Sequence, residues 1–586
     1  MKLIRRKYHK RIQRPFRWKY RTINSQHATD LATRHGFSPL LSRIIAARLH
    51  EAPSEALDKF LRPALATLHD PFLLADMEPA VKRCAEAVRR REKIVIYGDY
   101  DADGITATAL LVHLFRFLDH DVEYYIPHRV EEGYGLQKDA LAELSKQGTK
   151  VVITVDNGIT AIEEAKEARR RNIDLIITDH HQPADTLPDA VAVIDPNRRD
   201  CPYPCKFLTG VGVAFKFAHG LLKYLGTPPE KGREFLRSVL DLVAIGTIAD
   251  QAPLLDENRA LVTYGLEQMR SSPSVRIRSM LDMWSLPRDF SSQTVAFQIA
   301  PRLNAAGRID HAAICVQLLT AQDDTEARAI AYELDTLNLK RRELEAQLFQ
   351  MCRRYVDKHL SLEDEPVLIV PGAKWHRGII GVAATRLAEL YHRPAIVISV
   401  EDEVAHGSGR SPASFNLLSA LEAVKDHLLE YGGHLQAAGL SLTAANIDSF
   451  RDAINSYAHM HLEPDDLVPE LTIDTSVEPH ELDIDLVKSL KTLEPFGDSN
   501  PPVVLSMEGV RLASSPQLVG AQRNHIRLAV ASNGAKFDVI GYNLGELIGP
   551  LQEQAGSHFD IVFTPSINTY FGTEDLQLEL KDLCFS

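Results

Sequence analysis

Hydrophobic and polar positions change period several times along the chain. Residues 24–92 carry helical spacing interrupted by prolines and end in a charged helix, Val81–Lys93. From residue 94 the period shortens, and β-branched runs of four to six residues alternate with amphipathic stretches. Strands are predicted over Ile94–Tyr97, Val122–Ile126, Val151–Val155, Asp174–Thr178 and Val191–Ile194, with helices over Ile105–Leu118, Lys138–Gln147 and Ala161–Arg171. That alternation is the pattern of βαβ units around a mostly parallel sheet. The segment 233–283 reads as helical. Residues 323–360 hold no Gly or Pro and are rich in Glu, Arg, Leu and Ala, which predicts a long helix connecting two domains. A second α/β segment starts at Pro366–Val370 and has a further strand at Pro394–Ser399. Beyond Val503, short alternating strands (Ile526–Val530, Lys536–Gly541, His558–Thr564, Leu576–Leu580) predict a small closed or sandwich β domain.

Composition narrows the class without naming a function. A chain of 586 residues, 45% hydrophobic and 25% charged, is an ordinary globular protein of roughly three or four domains. Disordered chains and repeat fibres are excluded. The net charge of −13 argues, on its face, against a polyphosphate partner. Yet residues 1–22 contain ten basic side chains before the first acid, Asp30. A basic arm touching nucleic acid is the expectation there, ahead of a solubilising tail or an organelle transit peptide. No apolar run is long enough to cross a bilayer, so no membrane association is expected. The six cysteines are scattered, as in a reduced cytoplasmic protein. Cys201 and Cys205 flank a Pro-Tyr-Pro loop, but no second pair follows at finger spacing, so zinc is not expected.

The acids change the picture through their placement. The first strand runs into Gly98-Asp99-Tyr100-Asp101-Ala102-Asp103-Gly104, the third ends at Asp156-Asn157-Gly158 and the fourth at Asp179-His180-His181. Ligands of an open parallel sheet collect at the carboxyl ends of its strands. Three successive units therefore bring Asp99, Asp101, Asp103, Asp156, Asp179, His180 and His181 to one edge, and Asp250 closes a nearby helical run. A lone strand-end Asp is usually a helix cap. Four or more carboxylates together need compensation, which two divalent ions supply; the mixed carboxylate and imidazole set suits Mn²⁺, with Mg²⁺ as the oxygen-preferring alternative. Two such ions are the arrangement for in-line phosphoryl displacement.

These motifs, with Gly246-Thr-Ile-Ala-Asp250, resemble in order those of the DHH phosphoesterase superfamily, and Asp-Tyr-Asp-Ala-Asp-Gly is similar to its RecJ branch, the single-strand-specific DNA exonucleases. Further matches are Arg129–Leu136, Pro301–Arg308, Trp375–Gly378, Gly407–Ser411, Gly432–Gly439 and Glu494–Gly497. After the basic arm (1–23), the resemblance implies an α/β fold: a helical segment and DHH domain with mostly parallel sheet (24–320), a long connecting helix (321–362), an α/β DHHA1 domain (363–460) and an OB-like β domain (465–586). It implies metal-dependent 5′→3′ hydrolysis of single-stranded DNA to 5′-mononucleotides, in recombination and repair. A helicase and a single-strand-binding protein are expected company, and the chain is expected to be a cytoplasmic monomer. Asp101, Asp103, Asp156, His180 and Asp250 become metal ligands, and Asp99 a ligand or its support. His181 would face the scissile phosphate, to bond a non-bridging oxygen or protonate the leaving 3′-oxygen, with Asp156 the carboxylate to bridge the ions and Asp179 to orient an imidazole. Arg302, Asn304 and Arg308 are the expected phosphate grip, joined by Ser408 and Arg410 and by Gly433 and His434; Trp375-His376 would stack a base or pack the domain. Where the family reads Gly-Asn-Pro a residue after Glu-Pro-Phe-Gly, this chain has Asp498-Ser499-Asn500-Pro501, expected to alter only a turn. The alternatives are a phosphodiesterase of the same superfamily acting on short oligonucleotides or cyclic dinucleotides and, less favoured, a non-catalytic replication scaffold.

Overall fold

The computed structural model describes residues 16–49, 54–554, 556–568 and 572–585. Lys2, Arg5, Arg6, Lys7, Lys10, Arg11 and Arg14 of the expected arm lie outside the described residues. The chain forms two compact units: Asp58–Gln347 with Pro495–Pro501, and Met1–Leu57 with Leu348–Glu494 and Pro502–Ser586.

The first of these holds five parallel strands, β1 (Ile94–Tyr97), β2 (Val122–Tyr125), β3 (Val151–Val155), β4 (Asp174–Thr178) and β5 (Ala192–Ile194), in the order β2-β1-β3-β4-β5. β1 and β3 are buried along their whole length, which is why they read as unbroken β-branched runs rather than alternating ones. Burying each such side chain contributes roughly 1.5–3 kcal/mol. Helix α1 (Ala102–Phe117) is apolar nearly all round because it packs against two more helices, α2 (Gly210–Tyr224) and α3 (Leu240–Ala249). α4 (Ala300–Ile309) follows a π-helical turn at Val295–Ile299. Connections diverge between β1 and β3, so this order opens a crevice at their carboxyl ends.

α5 spans Asp324–His359, close to the expected bounds, and at 1.5 Å per residue is about 54 Å long. In the second unit, β6 (Leu368–Ala373), α6 (Arg377–Tyr391) and β7 (Ala395–Glu401) form a parallel βαβ unit. β8 (Val404–Arg410), β9 (Glu430–Gly433) and β10 (Ala437–Thr443) add antiparallel, giving the order β9-β10-β8-β7-β6. Further along, five strands close a ring: Leu505–Leu512, Phe559–Asn568, Asp575–Phe585, Ala535–Gly541 and His525–Ser532, the last pairing back to the first. This is the predicted closed β domain.

Three expectations are corrected. The end of the basic segment is no solvated arm: Arg17–Tyr20 is a strand parallel to Glu470–Ile473, with Arg17 and Lys19 paired to Glu470 and Arg21 to Asp474. Residues 24–57 belong with the second unit, where Arg43 binds Glu481 and Arg48 binds Asp474. The turn after Glu494 is more than a turn, since Pro495–Pro501 packs into the unit of β1–β5.

Candidate metal centre

Each strand end at the crevice delivers an acid. Asp99 follows β1, Asp156 follows β3, Asp179 follows β4, and Asp195 follows β5. Asp101 is the N-cap of α1, its Oδ1 accepting from the amides of Asp103 (3.0 Å) and Gly104 (3.1 Å). Asp103, in the first turn, accepts from the amides of Gly210 (2.6 Å) and Val211 (2.9 Å) at the start of α2. Asp250 caps the far end of α3. His180 Nε2 stands 3.1 Å from Asp156, 3.8 Å from Asp103 and 3.9 Å from Asp250. Three overlapping groups of possible ligand atoms result, Asp99/Asp101/Asp156, Asp103/His180/Asp250 and Asp156/His180/His181, each within 4.8 Å.

Burial makes this cluster unstable as a set of bare anions. Desolvation first, then the neighbouring carboxylates, raise Asp99 and Asp156 well above the usual range, Asp103 to about 7 and Asp250 to about 8. Asp99 Oδ1 and Asp156 Oδ1 are buried without a hydrogen-bond donor. Oriented oxygens with no donor, beside an imidazole nitrogen, are the donor set of a hard or borderline divalent cation. The residues fit such ions.

Asp179 behaves differently. It is fully buried and accepts from the amides of Ile159 (2.9 Å) and His180 (2.7 Å) and from His181 Nδ1 (2.7 Å). Burial pushes its carboxyl up, but the His181 bond and the charges of both histidines outweigh it and hold the carboxyl low. Burial likewise lowers His181, and Asp179 more than reverses it, raising the imidazole to about 9. His181 Nδ1 is thus committed to Asp179.

Several contributors escape the sequence reading. Tyr134 hydroxyl lies 3.2 Å from both the Asp156 carbonyl and His181 Nδ1. Arg129 stacks on Tyr100 at 4.7 Å, and its charge acts to lower Asp99. Both fall in the Arg129–Leu136 motif, whose spacing alone assigns no residue roles. Asp195, fully buried and raised to about 8 by burial and then by Asp179, obeys the strand-end rule that finds the other acids.

The expected phosphate grip divides. Arg302 is engaged within the unit by Asp335 (2.8 Å), the Gln298 carbonyl (2.7 Å) and the Trp284 ring. Asn304 accepts from the Ala102 amide at 2.8 Å and so braces the Asp101–Asp103 loop from α4. Arg308 is half-buried, with its charge felt at Tyr100. In the second unit, Ser408 and Arg410 lie on β8, and Arg410 bonds Ser408 Oγ (3.2 Å) and the Gly409 carbonyl (2.7 Å). Gly381 of α6 leaves them room: a Cβ there would stand 3.0 Å from Ser408 Oγ. His376 caps α6, accepting from the Gly378 amide at 3.1 Å. Gly433 has φ +144° and sits where a Cβ would meet the Ala437 carbonyl at 2.3 Å; His434 donates its amide to that carbonyl. Trp375 packs on Gly372, which favours the packing role for its ring.

Comparison with known proteins gives the family. Residues 93–247 match the N-terminal domain of the DHH family, 364–460 the DHHA1 domain and 473–582 the RecJ OB domain. The single-stranded-DNA-specific exonuclease RecJ of Bacillus subtilis (strain 168) is 36% identical over 573 residues, 97% of this chain and 71% of that protein. That of Dickeya dadantii (strain 3937) is 34% identical over 565 residues, 93% of this chain and 96% of that one. The crystal structure of RecJ with Mn²⁺ from Thermus thermophilus aligns with TM-score 0.81 at 29% identity, covering 97% of this chain and 79% of that one. Its Mg²⁺ complex aligns with TM-score 0.74 at 27% identity, covering 97% and 78%. With such identity sustained over nearly its whole length, the chain belongs to the RecJ family of DHH phosphoesterases.

Proposed function

We propose that this chain is a metal-dependent exonuclease that degrades single-stranded DNA in the 5′→3′ direction to 5′-mononucleotides, in DNA recombination and repair. The observation that carries the reading is the buried acid cluster at the β1/β3 crevice, with donor-less oxygens on Asp99 and Asp156. Asp99, Asp101, Asp103, Asp156, His180 and Asp250 would hold two divalent ions, Mn²⁺ or Mg²⁺, with Asp156 shared. When bound, such ions neutralise phosphoryl charge and activate water for in-line displacement. Asp179 keeps His181 oriented and protonated, so that Nε2 donates to a phosphate oxygen or to the 3′-oxygen as the P–O3′ bond breaks. Arg129 and Arg308 near Tyr100, and Ser408, Arg410 and His434 in the second unit, supply the groups that bind phosphates. The closed β ring suits a polymer substrate, because such folds track single strands by stacking and charge; this favours a nuclease over a cyclic-dinucleotide phosphodiesterase.

The proposal extends to a cytoplasmic monomer working where a helicase and a single-strand-binding protein expose single strands. Six free cysteines among the described residues suit a reducing compartment, and no helix among those residues is long and apolar enough to cross a membrane. Matched single- and double-stranded oligonucleotides labelled at either end and digested with Mn²⁺ test the activity. Labelled mononucleotide should be released first from 5′-labelled single strands. Release first from the 3′ label would reverse the polarity, and equal digestion of duplex would remove the strand preference.

A further inference from the structure

Pro495–Pro501 belongs to the unit that carries the metal centre, although the chain on either side of it belongs to the other unit. The segment is internally braced. Gly497 and Asn500 exchange backbone hydrogen bonds (2.9 and 3.2 Å), and buried Asn500 donates its side-chain amide to the Pro495 carbonyl at 2.9 Å. Its carbonyls are then spent on two stretches leading to metal-site residues. Asp498 accepts from the Leu254 amide at 3.1 Å, and Phe496 accepts from the Ser292 hydroxyl. Leu254 also packs directly on Gly497, where a Cβ would stand 2.6 Å from Leu254 Cδ1.

Leu254 lies four residues beyond Asp250, past Gln251 in the left-handed region (φ +57°). Asp250 sits at a helix end with its side chain 29% exposed, and residues 251–253 join it directly to Leu254. Ser292 opens the run into α4, whose Asn304 holds the Ala102 amide between Asp101 and Asp103. One braced segment therefore abuts the supports of acids on two sides of the cluster.

We infer that Pro495–Pro501 is a positioning element for the metal centre, setting Asp250 through Leu254 and the Asp101–Asp103 loop through Ser292, α4 and Asn304. The inference rests on the reading that these acids hold the ions. It gives a role to the Pro495-Phe-Gly497 part of the Glu-Pro-Phe-Gly motif. It also gives one to Asn500, which closes the segment.

The test is Mn²⁺ binding by the purified full-length protein, read from the electron paramagnetic resonance signal of free Mn²⁺. KM for single-stranded DNA at saturating Mn²⁺ is measured beside it. Gly497→Ala should weaken Mn²⁺ binding about tenfold, the scale of losing support for a ligand, and leave that KM unchanged. Ser292→Ala, a gentler change, should weaken it less, and provides the answer if Gly497→Ala does not fold. Arg169→Ala, which removes an exposed ion pair with Asp189, should do nothing. If Ser292→Ala, and Gly497→Ala where it folds, bind Mn²⁺ like the parent while melting earlier, the segment is structural only and the inference falls. If Asp156→Asn leaves Mn²⁺ binding and turnover intact, the metal reading itself fails, whatever the segment does.

Discussion

The acid cluster at the β1/β3 crevice and the glycine-bearing strand β8 are built on opposite principles. In the cluster, Asp99, Asp103 and Asp156 are almost fully buried, and burial itself keeps them from ionising comfortably. Around β8 the polar groups are half-buried or exposed, and the work of the sequence is to clear space with small residues. The first arrangement is energetically incomplete without a cation. The second is complete as it stands. A site that breaks the burial rule announces its ligand; one that obeys it does not.

The sharpest way to break the comparison is Asp156→Asn. Removing one shared charge should lower turnover by ~10³-fold or more while single-strand affinity, measured without turnover, stays near the parent's. Near-normal turnover would mean that the buried acids are not the reacting pole. Arg410→Ala should act on the other pole, raising KM for single-stranded DNA about tenfold with kcat largely kept. A fall in kcat at unchanged KM would instead place Arg410 with the reacting groups. The smallest effect is on the stability of the metal-free protein. Asp103 and Asp250 have folded pKa values of about 7 and 8 against 3.8 for an ordinary Asp, so between those limits the folded state binds more protons than the unfolded one. Their contribution is therefore least unfavourable at low pH and grows costly as pH rises to 8. Melting followed by circular dichroism should show a midpoint a few degrees lower at pH 8 than at pH 5.5, about the effect of 1–2 kcal/mol, and saturating Mn²⁺ should erase the difference. A midpoint that rises with pH in the metal-free protein would contradict the claim that the cluster strains the fold.

Much of this is legible in the sequence because it depends on local pattern. β1, β3 and β4 fall on their expected bounds, since runs such as Val151–Val155 are buried on both faces and carry no competing signal. The acids are legible because a parallel sheet sends every strand end to one edge. Asp195 obeys the same rule, but no histidine or second acid beside it marks it out. What stays hidden is what depends on distant partners. Arg302 reads as a phosphate clamp because nothing in its motif reveals Asp335 and Trp284. Arg17 and Lys19 read as a free arm because their acid, Glu470, lies far along the chain. Pro495–Pro501 reads as a turn for the same reason.

Asp156 carries φ +64°, a left-handed backbone that costs most side chains but is tolerated by Asp, Asn and Gly. At this position the backbone filters substitutions before chemistry does, and of the three tolerated residues only Asp carries charge. The easiest mutational step away from Asp is thus Asn, which keeps the turn and discards the anion. A substitution here therefore separates the two jobs of the position, since Asn leaves the turn standing while removing one acid from the cluster.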